Sequence, residues 1–177
     1  DLKDRLANYG FDVEEVDAIM VLDLSQVPEI LPRPAAHQVQ RITDPEDVGQ
    51  VVELERAVWG ESFAWLGRYL AEALTRQPDR MSVFVVYVQG QGASVGWTYY
   101  APGSRFASLW GGSTLESFRG RGLHTALLAT HVQEARARKV QYLTVDASAM
   151  SQRLLEKYGF TKIAEASACT WRVNTGT

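Results

Sequence analysis

The residues best suited to chemistry in this chain lie together between Arg119 and Leu128, where the sequence reads RGRGLHTALL. Two arginines and two glycines alternate at the mouth of an amphipathic helix pattern. A helix start leaves backbone N–H groups without partners and carries the positive end of the dipole, so a phosphate is stabilised there. Gly120 and Gly122 can adopt positive φ, and without a Cβ they let successive amides turn into one concavity. Arg119 and Arg121 add charge at the rim, and Leu123, His124 and Thr125 form the first helical turn. The chemistry implied is the cradling of a pyrophosphate. A Gly-rich turn on a basic surface would read the same from these ten residues alone.

The surrounding elements must hold that turn in place. Leu123, Leu127, Thr130, His131 and Glu134 mark successive turns of the helix, and Arg136, Arg138 and Lys139 crowd its last turn, where cations suit the dipole. The run QYLTVD, residues 141–146, follows as a strand, so the order is strand, glycine turn, helix, strand. Residues 148–160 read SAMSQRLLEKYGF, with Ser148 as N-cap, Met150, Leu154 and Tyr158 on one stripe, and Gly159 at the left-handed C-terminal position before Phe160. A last strand is expected over about residues 162–173. Upstream, residues 37–42 suit a first strand. Asp44 caps a helix that opens on Pro45 and runs to Gly60, and a second helix covers about residues 63–76. MSVFVVYVQ, GQG and ASVGWTYYA make a hairpin, and FASLWGGSTL a third antiparallel strand. The fold class is therefore α+β, a mixed and mostly antiparallel sheet with helices on both faces. Gly111 and Gly112 inside the third strand mark a bulge or a close approach to the backbone.

Two motifs resemble the GCN5-related N-acetyltransferase (GNAT) family. Arg119 and Gly122 match R-x-x-G-x-G/A, with His124 in the final small-residue slot, and Leu154, Leu155, Glu156, Lys157, Gly159 and Phe160 match L-Y-E-K-x-G-F. The resemblance covers residues 37–173. It implies a splay between the fourth and fifth strands of that fold, and transfer of an acetyl group from acetyl-CoA to a primary amine in a ternary complex. It places the pantetheine arm against Gly112, Ser113 and Thr114, whose amides would polarise the thioester carbonyl. It places the pyrophosphate at Arg119, Gly120, Arg121, Gly122, Leu123, His124 and Thr125. Ser148 and Ser151 stand near the family's frequent Asn and are the remaining expected contacts to acetyl-CoA.

The catalytic positions depart from the family. Leu155 replaces the Tyr that often protonates the leaving thiolate, and Thr144 stands where some relatives carry a Glu base. Tyr158 is expected to pack in the core. Asp146 is the leading catalytic candidate, binding the acceptor amine or passing its proton to water; capping of the next helix is the alternative. Glu53, Glu55 and Glu61 could line an acceptor pocket or remain solvated. Trp59, Phe63, Trp65 and Tyr69 cluster where the family builds its acceptor site, with core packing the expected role. His124 is expected to meet phosphate or solvent. Three histidines without ligand spacing imply no metal site, and Ser104 and Ser113 lack the partners of a serine hydrolase.

At 177 residues and 46% hydrophobic content the chain can bury one good core. A net charge of −3 argues against nonspecific nucleic-acid binding, no apolar run reaches membrane-spanning length, and the single Cys169 suits a reducing, cytoplasmic setting. The expected division is residues 37–177 as the acetyltransferase domain and residues 1–36 as a helix–strand appendage with a Pro-rich linker, 28–35. Leu6, Tyr9, Gly10 and Phe11 repeat the spacing of Leu155, Tyr158, Gly159 and Phe160, so the appendage reads as the tail of an incomplete second copy or as a coincidental use of one capping device. Expected partners are a small-molecule or peptide amine, and a homodimer is an option. Two rivals stay open. A dinucleotide oxidoreductase would also use a glycine turn, although Thr125 replaces its third glycine and an antiparallel meander precedes the turn. A non-catalytic acyl-CoA-binding module would explain the missing Tyr.

Overall fold

A computed structural model describes residues 1–29, 31 and 37–172. In chain order the elements are α1 (Leu2–Asn8), β1 (Asp12–Val13), β2 (Asp17–Asp23), β3 (Gln38–Ile42), α2 (Gly49–Trp59), α3 (Ala64–Arg76), β4 (Met81–Val88), β5 (Gln91–Tyr100), β6 (Phe106–Thr114), α4 (Leu123–Ala137), β7 (Tyr142–Ala147), α5 (Ala149–Lys157), β8 (Thr161–Ala166) and β9 (Cys169–Thr170). Asp44 accepts from the Glu46 amide as expected, but the turn it caps is a 3₁₀ segment, Pro45–Val48, before α2 begins.

Seven strands form one sheet in the order β3-β4-β5-β6-β7-β2-β8. β3 to β6 are an antiparallel meander, β6 and β7 run parallel, and β2 pairs antiparallel with both β7 and β8. The parallel step requires a crossover, which α4 supplies. Along β5 the side chains alternate between faces. Val95 and Trp97 pack with Val51, Leu54, Leu66 and Leu70 of α2 and α3, while Thr98 meets His131 of α4. The α4 and α5 side buries Leu128, Val132, Leu155 and Phe160 against Met20, Leu22 and Leu143. Helices thus cover both faces.

Three placements differ from the sequence pattern. Residues 17–24 do not stand apart from residues 37–160: β2 is an interior strand, and Ala18, Met20, Leu22 and Leu24 are core residues. Pro28 continues that packing against Gly159, and residues 30 and 32–35 of the expected linker lie outside the described residues. The inward stripe of α5 is Leu155 and Tyr158, whereas Met150 is 79% exposed and Leu154 lies at the surface. The expected final strand is two strands, because the chain leaves the edge of the sheet after Ala166 and β9 pairs with β1; residue 173 lies outside the described residues.

Candidate active site

The ladder between β6 and β7 holds for Phe106–Tyr142, Ala107–Leu143 and Ser108–Thr144, then ends, although β6 continues to Thr114 and β7 to Ala147. Further along β6, Gly111 and Gly112 stand at φ +74 and +80. Their left-handed backbone makes a bulge in which Gly96 pairs with Gly111 and Val95 with Ser113, leaving Gly112 out of the register. A Cβ on Gly111 would lie 2.5 Å from the Trp97 ring, so no larger residue fits there. Beyond Ser108 the strands part, and a cleft opens between them. Its walls are Leu109 to Gly112 on one side and Val145 with Asp146 on the other, and α4 and α5 supply the floor.

Beside the cleft, Gly122 at φ +79 is the N-cap of α4, and no side chain caps that helix. Gly120 is also left-handed, with open space where a Cβ would stand. Arg119 donates to the Thr114 carbonyl at 3.3 Å. Arg121 donates to the Ser117 carbonyl at 3.1 Å and lies over the Phe118 ring. His37 Nε2 meets the Arg121 carbonyl at 2.8 Å, tying the loop to the start of β3. An uncapped helix start with two charged residues at its rim, next to an open cleft, fits a pyrophosphate joined to a long thin acyl carrier.

Two histidines of α4 point into the floor. His131 is fully buried, with Nδ1 at 2.7 Å from Thr98 Oγ1, and burial pushes its pKa down to about 3, so the ring is neutral at pH 7. His124 turns inward, not outward to solvent: its Nε2 would lie 3.7 Å from a Cβ on Gly112, and burial lowers its pKa. Its Nδ1 is buried without a partner. Tyr158 is buried as expected and its hydroxyl bonds to Thr125 Oγ1. Leu155 and Ser151 line the cleft; Ser148 caps α5 through the Ser151 amide.

The opposite face of the bulge carries a different set. Leu143, Val145 and Ala147 face α4 and α5, so by alternation Asp146 faces the side of α2 and α3. It does not cap α5, since Ser148 does. Burial and the nearby Asp17 carboxylate both push its pKa up. Trp110 pairs with Trp97, shares that face and is half-exposed. Ser113 Oγ donates to Glu55 at 2.9 Å and accepts from Trp59 Nε1 at 3.0 Å. Glu55 is buried, its other carboxyl oxygen has no partner, and burial raises its pKa. Sequence reading leaves Glu55 beside Glu53 and Glu61 as one of three acidic residues. Its signal is its place in the stripe Val51, Leu54, Glu55, Val58, where a solvated charge does not belong. Trp59, Trp65 and Tyr69, expected to pack in the core, are exposed instead; Phe63 alone of that group leans on it.

The sequence matches the family model of the acetyltransferase (GNAT) domain over residues 33–147. The chain belongs to the GNAT family. No protein of curated function matches it in sequence. Solved structures share the fold. A conserved protein of unknown function from Staphylococcus epidermidis aligns with a TM-score of 0.66 at 13% identity over 92% of this chain and 63% of its own. A GCN5-related N-acetyltransferase from Kribbella flavida aligns at 0.63 and 17% identity, over 93% of this chain and 61% of its own. A predicted acetyltransferase from Clostridium acetobutylicum, solved with acetyl-CoA, aligns at 0.60 and 18% identity over 71% of this chain and 90% of its own. The chain thus spans under two thirds of the first two. Within the GNAT fold described here, the splay lies between β6 and β7, the fourth and fifth strands counted from β3. Among the described residues no helix is long and apolar enough to cross a membrane, and no three His, Cys, Asp or Glu side chains gather as a metal set.

Proposed function

We propose that this GNAT domain transfers an acetyl group from acetyl-CoA to a primary amine of a small molecule or peptide, by direct attack in a ternary complex in the cytoplasm. The observation that carries the reading is that His124, in the first turn of the uncapped α4, lines the cleft together with Gly111 and Gly112. Acetyl-CoA, when bound, supplies the activated acyl group. Gly120, Gly122, Leu123, His124 and Thr125 would hold its pyrophosphate with Arg119 and Arg121, and Gly112, Ser113 and Thr114 would run beside its arm. Ser151 lines the cleft, and Ser148 acts by capping the helix that carries it.

The amine would approach from the side of α2 and α3. Asp146 offers the only carboxylate that lines the cleft among the described residues, and it would attract the cationic amine and take its proton as the C–N bond forms. The exposed rings of Trp59 and Trp110 would cover an apolar or cationic body attached to that amine. Leu155 stands in the cleft wall where the resemblance puts a proton-donating Tyr, so the leaving thiolate would collect its proton from water. Holding the reactants in place supplies much of such a rate without a dedicated acid.

Titration of the chain with acetyl-CoA, followed by a panel of primary amines with free CoA measured as thiol, tests the reading. Binding and amine-dependent release of CoA support it. Binding without release for every amine class favours a non-catalytic acyl-CoA-binding module, and no binding overturns both.

A further inference from the structure

The repeated Leu-x-x-Tyr-Gly-Phe is more than a repeated spelling. In both copies the Phe amide returns to the Leu carbonyl, Phe11 to Leu6 at 3.1 Å and Phe160 to Leu155 at 3.2 Å, and the Tyr amide bonds the same carbonyls, at 3.0 and 2.9 Å. Gly10 and Gly159 sit at φ +85 and +88. A helix ending in Gly-Phe is common enough for this to be local convergence. The strands that follow are not local. Asp12↔Thr170 and Val13↔Cys169 of β1 and β9 lie in the same antiparallel register as Met20↔Lys162 and Val21↔Thr161 of β2 and β8, so each helix is followed by two strands that pair with the two strands after the other helix. Asp17 and Ala166, which pair, each lie seven residues beyond their glycine, Gly10 and Gly159. Two segments far apart in sequence therefore share one register about a pseudo-twofold axis at Asp17 and Ala166.

The backbone correspondence is not matched in burial. Tyr158 is 9% exposed and Tyr9 is 77% exposed; Leu22 is 1% exposed and its equivalent Trp171 is 57% exposed. No residue of α1 is buried. On one side of the axis β2 continues into β7 and a full sheet; on the other, β9 has β1 on one edge and no strand on the other among the described residues.

We propose that α1, β1 and β9 are the closing elements of a second unit of this same fold, preceding Asp1 in the polypeptide. Each unit lends its last strand to the other: β2 follows the helix of the second unit and completes this sheet, and β9 follows the helix of this unit and completes the second. Leu2, Tyr9 and Trp171 then enter the second core, and a strand equivalent to β7 pairs with the open edge of β9. Another copy of the same 177 residues offers no free β7 edge, because its own β2 already occupies it. The S. epidermidis and K. flavida proteins also extend well beyond the part that this chain matches.

The test compares the full natural polypeptide with the 177-residue chain by amide hydrogen exchange and by labelling of Cys169, the only thiol in these residues. Amides of α1 and β9 should exchange at least about ten-fold more slowly in the full polypeptide, and Cys169 should label more slowly by a similar factor. Tyr9→Asp should remove that protection while the amides of β2 and α5 keep theirs, which shows that this domain remains folded. Equal exchange in the two polypeptides overturns the proposal, as does a natural polypeptide with no such unit ahead of Asp1. A self-dimer of the 177-residue chain that protects α1 equally well overturns it too.

Discussion

Two ionisable side chains are buried against the same sheet from opposite faces, and the fold treats them differently. His131, on the α4 side, has its Nδ1 bonded to Thr98 and is held neutral with a pKa of about 3. Glu55, on the α2 side, has one carboxyl oxygen bonded to Ser113 and the other unpartnered. A neutral imidazole in an apolar floor suits the binding of an uncharged acyl arm, whereas an under-satisfied carboxyl beside exposed aromatics suits a face that receives a polar or cationic ligand. Under the proposed function the α4 side would receive the acyl donor and the α2 side the acceptor, and each can be perturbed separately.

The largest effect is expected on the donor face. Gly122→Asp sets a negative charge against the pyrophosphate and should weaken acetyl-CoA binding by roughly a hundred-fold in calorimetry, while Gly122→Asn, which tolerates the left-handed backbone, should cost far less. Equal losses in the two would assign the effect to backbone strain. On the acceptor face, Asp146→Asn should lower turnover by roughly ten- to a hundred-fold at saturating acetyl-CoA, with binding of acetyl-CoA unchanged. A pH–rate profile identical to that of the wild type, following only the free amine, would remove Asp146 from proton handling.

The two buried groups should also give the protein opposite pH slopes in stability. Burial depresses the pKa of His131, so its contribution is intact above about 6.5 and is lost as the pH falls toward 3. By pH 5 the loss reaches about 2 kcal/mol, or roughly 4–8 °C in Tm, and His131→Gln should flatten that slope. Burial raises the pKa of Glu55, so its contribution is lost as the pH rises from the usual carboxylate range through the raised value. Glu55→Gln should therefore gain in Tm relative to the wild type as the pH rises. Parallel slopes in the two variants would dissolve the contrast between the faces. The smallest effect belongs to Ser148→Ala, which removes the α5 cap and should cost about 1 kcal/mol, or roughly 2–4 °C, with turnover per folded molecule retained.

The glycine turn ahead of α4 was legible because its signals are local: glycines that favour positive φ and a helix start fall within ten residues, and the φ values of Gly120 and Gly122 agree. The bulge was legible for the same reason, since paired glycines have few other uses inside a strand. Glu55 was hard to single out because its hydrogen-bond partner, Ser113, lies on a strand distant in sequence. Met150 and Leu154 misled because a short helix offers two adjoining apolar stripes, and only the position of β2 and β7 beneath α5 selects Leu155 and Tyr158.

By itself the sequence determined the element types, the mixed sheet, the glycine-built turn ahead of α4 and the capped helix ends, because each depends on dihedral preferences and periodicities within a few residues. Only the tertiary structure decided that residues 17–23 form an interior strand, that β9 leaves the sheet to pair with β1, and that Glu55 is buried. The physical reason is strand pairing. A strand's own residues state which side chains face a core, but its neighbours are chosen by open edges elsewhere in the chain, and β2 found the edge of β7 across more than a hundred intervening residues.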